Sequence, residues 1–130
     1  MIKFLSILGL FLFVVSCSTT GIQPQNQLDV IERWSGYAVG KGAECSNAKV
    51  EIEILEDFSI KGSAYATSYS LIIPLKGRVD LNNHFLATGS ASGGIFVTFR
   101  GIVNGRTASG TWETNMSDCQ GTWEMAKNNP

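Results

Sequence analysis

The chain has 130 residues, 44% hydrophobic and 16% charged, with a formal net charge of −1. That length holds one small domain, and that apolar content excludes wholesale disorder. Ten Lys and Arg stand against eleven Asp and Glu with no basic run, which argues against nucleic acid as a partner. After Lys3, residues 4–15 form an apolar run interrupted only by Ser6 and Gly9. A membrane-crossing helix needs about 20 apolar residues, so the run fits the apolar segment of a secretory signal peptide, with small Ser16 at the cleavage point. Residues 18–27 are polar in the main, uncharged and interrupted by Pro24, and read as a flexible tether. Leu28, Ile31 and Trp34 stand at i, i+3 and i+6 and permit a helical turn, in competition with a strand starting near Arg33.

From Trp34 onward the apolar period is two. Strands are expected at 34–40, 49–54, 58–66, 69–81 with a bend at Pro74, 85–91, 95–103, 106–114 and 119–126. Val50, Ile52 and Ile54 alternate with Glu51 and Glu53, so one face is buried and the other wet. Asn104-Gly105 is the strongest hairpin signal, since both central positions of a type I′ turn take a positive φ. Asn82-Asn83 and Ser92-Gly93-Gly94 mark further turns. The fold class is therefore all-β: a small closed up-and-down antiparallel barrel of about eight strands.

Pairing the strands across their turns assigns the inner face. Centred on Asn104-Gly105, Phe99 opposes Gly110; across Ser92–Gly94, Phe99 opposes Ala87; pairing Thr114 with Cys119 sets Trp123 beside Gly110 and Gly121 beside Trp112. Two expected rows follow, Ala87–Phe99–Gly110–Trp123 and Gly89–Val97–Trp112–Gly121, with large and small side chains alternating as a narrow barrel requires. The repeated Gly-Thr-Trp-Glu at 110–113 and 121–124 is then a packing motif. Trp34, Phe99, Trp112 and Trp123 are expected to fill the interior, and Ile72, Leu86, Phe96 and Ile102 to face outward.

The residues Val14-Val15-Ser16-Cys17 resemble the lipobox of bacterial lipoproteins: an aliphatic residue, a tolerant position, a small residue and an obligatory cysteine. The resemblance implies a thioether-linked diacylglycerol on Cys17, cleavage before it and a further acyl chain on the freed amine. Position 15 is often smaller in that family, a mild departure. Ser18, in place of an acidic residue, implies sorting to the outer membrane, with the body facing the periplasm. Two or three acyl chains make an anchor where one binds only marginally. Ordinary secretion with a free Cys17 is the competing reading, and cysteine parity disfavours it. Acylating one of three cysteines leaves Cys45 and Cys119 to pair, as an oxidising compartment favours. In a closed barrel these two lie at one rim across the seam between the first and last strands.

The tether enters at the opposite rim. The disulfide rim carries the longer connections, and binding residues concentrate on such loops, so Lys41, Glu44, Asn47, Asn115, Met116 and Asp118 are candidate binding residues. Catalytic signals are missing from the sequence. His84 is the one histidine, no phosphate-loop spacing occurs, and no cofactor or metal motif is present. The expected function is a membrane-anchored, non-catalytic binding module with an envelope protein partner, such as a hydrolase it inhibits through the rim loops. In outline only, the chain resembles the small envelope barrels that block proteases or lysozymes. A structural envelope lipoprotein is the alternative; a carrier of a small apolar ligand is a further variant, against which the expected filling of the interior by Trp34, Phe99, Trp112 and Trp123 argues.

Overall fold

The computed structural model describes residues 28–42, 45–116 and 118–129; the expected signal segment, Cys17, residues 18–27 and Glu44 lie outside them. Eight strands follow in order: β1 (Val30–Lys41), β2 (Ala48–Leu55), β3 (Ser59–Ala66), β4 (Leu71–Val79), β5 (His84–Ala91), β6 (Ile95–Asn104), β7 (Thr107–Thr114) and β8 (Gln120–Lys127). Each pairs antiparallel with its neighbours in sequence, and β1 pairs with β8, so the sheet closes into the expected barrel. Closure removes the unpaired edges that an open sheet would expose.

Three local expectations change. Residues 28–34 form no helical turn. Ile31 is instead the extra residue of a bulge, between the pairs Val30↔Leu55 and Glu32↔Ile54, and β1 starts there. β4 is shorter than 69–81, because both its ends are consumed by turns. Ser70 has a φ of 50°, and the Asp80 carboxylate accepts hydrogen bonds from the backbone N–H groups of Asn82 and His84 at 2.8 and 2.9 Å.

The third change is register. The pairing across Ser92–Gly94 is as expected, with Ala87↔Phe99 and Gly89↔Val97, and so are Gly110↔Trp123 and Trp112↔Gly121. Between β6 and β7, however, Phe99 opposes Trp112 and Gly101 opposes Gly110, a shift of two residues from the expected pairing. The hairpin's central pair is Gly105-Arg106, not Asn104-Gly105; Asn104 pairs with Thr107, and Gly105 takes a φ of 66° at the first central position, as a type II′ turn needs. A shift of two preserves which face each residue occupies, so it alters the rows and not the core. It sets two glycines side by side, and the Trp123 indole lies over them. A Cβ on Gly101 would stand 2.5 Å from its ring. The indole Nε1 donates to the Arg100 and Thr111 carbonyls at 3.1 and 3.0 Å. Phe99 and Trp112, now neighbours, lie with ring planes 22° apart and centroids 6.2 Å apart.

Inward positions carry the apolar residues. Trp34, Val50, Ile52, Ile54, Ile60, Phe85 and Trp123 are all buried. Outward positions carry ion pairs such as Arg33–Glu53 at 3.2 Å and Arg100–Glu113 at 2.8 Å. Exposed pairs of this kind add little stability. Their placement matters more: apolar inside and charged outside is the reverse of a lipid-spanning barrel. Ile72, Leu86, Phe96 and Ile102 are exposed as expected. They form no single patch: Ile102 lies diagonal to Leu86, and the polar row Lys76–Thr88–Thr98–Glu113 separates that pair from Ile72 and Phe96.

Candidate functional site

The barrel interior is filled unequally. Toward the rim where β1 begins, it holds Ile54, Ile60, Phe85, Trp123 and Met125. Toward the other rim, β1, β2 and β3 turn alanines inward. Ala38, Ala48 and Ala66 stand in one cross-strand row, with Ala64 one step deeper. Their methyl groups cannot reach the axis. They leave a hollow of about 370 Å³, walled on its far side by Leu71, Ile73, Ile95 and Val97 and floored by Phe99 and Trp112.

The expectation that four aromatics fill the whole interior is therefore corrected. Trp34 and Trp123 sit outside the lining of this hollow, while Phe99 and Trp112 form its floor. The sequence signal that would have found it is the run of inward alanines on three successive strands. Pro74 contributes as well. The β4–β5 ladder runs from Val79↔Phe85 to Leu75↔Gly89 and stops there, because proline has no N–H to continue it.

Electrostatically the lining is neutral: no Asp, Glu, Lys, Arg or His contributes to it. Three of its polar side chains, Ser46, Thr114 and Trp112, are engaged within the protein, and Tyr69 adds a phenol to the lining. Ser46 Oγ donates to the Asn47 carbonyl at 2.8 Å and accepts from the Ser68 N–H at 3.1 Å. Thr114 Oγ1 donates to the Cys119 carbonyl at 3.0 Å and accepts from the Met116 N–H at 3.1 Å. Trp112 Nε1 donates to the Val39 carbonyl at 3.1 Å. Among the described residues, no buried side-chain nitrogen or oxygen lacks a partner. A molecule in the hollow would thus meet mainly carbon.

Cys45 and Cys119 are joined in a disulfide across the β1–β8 seam at the mouth, as expected. Close by, a Cβ on Gly42 would collide with the Asp118 carbonyl, and Gly42 has a φ of 122°; only glycine fits both demands.

The expected rim residues divide by what their side chains do. Met116 lines the hollow. Asn47 is spent on structure: its Oδ1 accepts from the Gly40 N–H at 2.9 Å. Asn115 is spent likewise, accepting from the Phe96 N–H and donating to the Gly94 carbonyl, both at 2.8 Å. Lys41, at the end of β1, is exposed and pairs across the seam with Gln120, on the outer face of the barrel. Asp118 is exposed, with a φ of 57°. The structure therefore brings Met116 to the hollow and leaves Lys41 outside it. His84 opens β5 at the opposite rim, its Nδ1 3.2 Å from Asp80. Among the described residues, no three His, Cys, Asp or Glu side chains converge as a metal site.

At that same opposite rim, one carboxylate is half-buried. Burial disfavours ionisation of Glu32, but hydrogen bonds from the Trp34 indole and the Lys127 ammonium, with the latter's charge, outweigh it and hold its pKa below the ordinary value. The bonds measure 3.0 Å each. No known protein family, curated protein or solved structure matches this chain.

Proposed function

We propose that this chain is a non-catalytic binding module, held at a bacterial envelope membrane by acyl groups on Cys17, that takes a small apolar ligand into the disulfide-side mouth of its barrel. One observation carries the ligand reading: a neutral, mainly apolar hollow of about 370 Å³ with no buried side-chain nitrogen or oxygen left unpaired among the described residues. Ligand pockets run from about 300 to 1,000 Å³ and are mainly apolar. A dry cavity of about 150 Å³ accommodates benzene, so the space suits a hydrocarbon body of roughly a dozen carbon atoms. A ligand that needs many buried hydrogen bonds would lose most of them in a lining made mainly of carbon.

This reading gains on protease or lysozyme inhibition, because Asn47 and Asn115 are committed to shaping the rim. The anchoring part rests on the lipobox resemblance and on cysteine parity, with outer-membrane sorting following from Ser18.

Displacement of an environment-sensitive apolar dye tests the ligand site. Medium-chain alcohols or fused-ring hydrocarbons should displace the dye, and small polar solutes of equal size should not. Failure of every apolar competitor to bind, or equal binding of polar ones, refutes the ligand reading. Mass spectrometry of the mature N-terminus tests the anchor: an unacylated Cys17 refutes it.

A further inference from the structure

The rim opposite the hollow has its own unexplained feature. Leu81, in the β4–β5 turn, is 94% exposed, and Phe58, in the β2–β3 turn, is 50% exposed. The two are neighbours. They line one depression of about 380 Å³ with Ile54, Val79 and Val103 and with the polar Glu32, Asp80 and Asn83, and the Val79 N–H donates to the Phe58 carbonyl at 3.0 Å. Leu28 and Ile31, where the chain enters β1, are exposed at the same rim.

Turn chemistry explains none of these side chains. Phe58 has a φ of 66°, a left-handed conformation that glycine or asparagine takes readily and a bulky residue rarely does. A turn selected for folding alone would place a small residue there. The acidic residues beside these tips are exposed, and each gives one carboxylate oxygen to the rim's own backbone. Asp57 Oδ1 accepts from the Ser59 N–H and hydroxyl, Asp80 Oδ1 from the Asn82 and His84 N–H groups, and Glu56 Oε1 from the Asp29 N–H at 3.3 Å. Phe58 and Leu81 project beside them.

We infer that Phe58 and Leu81 rest in the interface of the bilayer that anchors the chain, holding the barrel with its hollow turned away from the membrane. The inference rests on the proposed acylation of Cys17. Residues 17 and 28 are eleven positions apart, so even a fully extended chain spans at most about 40 Å between them. The tethered rim thus stays at high effective concentration beside lipid, where a weak apolar contact is well populated. Partly inserted apolar side chains of this kind sit at the boundary between headgroups and acyl chains.

The test uses the acylated chain in nanodiscs of zwitterionic lipid with a nitroxide at the top of the acyl chain. Methyl resonances of Leu81 and Val103 should broaden several-fold more than those of Leu71 and Ile95 at the other mouth. Phe58→Gly combined with Leu81→Ser should abolish the difference as read at Val103, with the unfolding midpoint unchanged or raised because a strained position is relieved. Equal broadening at both ends of the unsubstituted chain overturns the inference. So does a difference that survives the double substitution, or a rim covered instead by a second copy in lipid-free detergent. If the chain proves unacylated, the anchoring reading fails separately, and the same nanodiscs decide the rim by co-sedimentation. Binding weakened roughly tenfold or more by the double substitution supports the contact; no binding by the unsubstituted chain overturns it.

Discussion

Filling the hollow is the sharpest test of whether it exists as a site. Ala64 is 2% exposed, pairs with Val50 and Ile73, and lines the hollow. Ala64→Leu adds three carbon atoms. If they enter open apolar space, each contributes about 0.8 kcal/mol, so the substitution should stabilise the barrel by up to roughly 2 kcal/mol. If the interior is close-packed there, the same change overpacks it and costs about 1–3 kcal/mol. The sign of the effect therefore decides between the two packings. The assay is urea unfolding of both chains, with an unchanged m-value confirming that the same surface is exposed. In a thermal melt each kcal/mol corresponds to about 4–8 °C for a domain of this size. The variant should also lose displacement of the apolar dye, since its side chain occupies the ligand's place. A destabilised Ala64→Leu chain that still binds the dye at full strength would refute both the hollow and the site.

Three further outcomes are expected. Replacing both Cys45 and Cys119 by alanine should cost about 4 kcal/mol on the chain-entropy model, from the separation of 74 residues that the disulfide closes, read from the shift in urea midpoint. Gly101→Ala should destabilise by about 1–3 kcal/mol or more, since the new Cβ meets the Ser109 carbonyl and the Trp123 ring; near-ultraviolet circular dichroism should report the displaced indole. Glu32 has a folded pKa below its ordinary value near 4.5, so its contribution to stability is present above that value and is lost as pH falls through the folded pKa. Glu32→Gln should therefore be less stable than the natural chain at pH 7, and the gap measured by urea unfolding should close on acidification below pH 4.5.

Strand placement was legible because it depends on local alternation. Val50, Ile52 and Ile54 face in, their intervening residues face out, and no distant contact is needed to see it. Register was legible only where a turn has a single solution. The Asn104-Gly105 dipeptide has two: glycine can serve second in a type I′ turn or first in a type II′ turn, and the choice shifts the β6–β7 pairing by two. What decides it is Trp123, two strands away from β6, whose indole needs Gly101 and Gly110 face to face to reach the Arg100 and Thr111 carbonyls. The hollow is a stricter case of the same dependence. Alanines at 38, 48, 64 and 66 mean little as composition. They become a cavity wall because β1, β2 and β3 pair so that Ala38, Ala48 and Ala66 meet in one row. A slip of two residues between β1 and β2 would set Ala38 opposite Val50 or Ser46, interrupt the alanine wall and shrink the space. The hollow is thus a property of register, and register is what a period-two pattern leaves least determined.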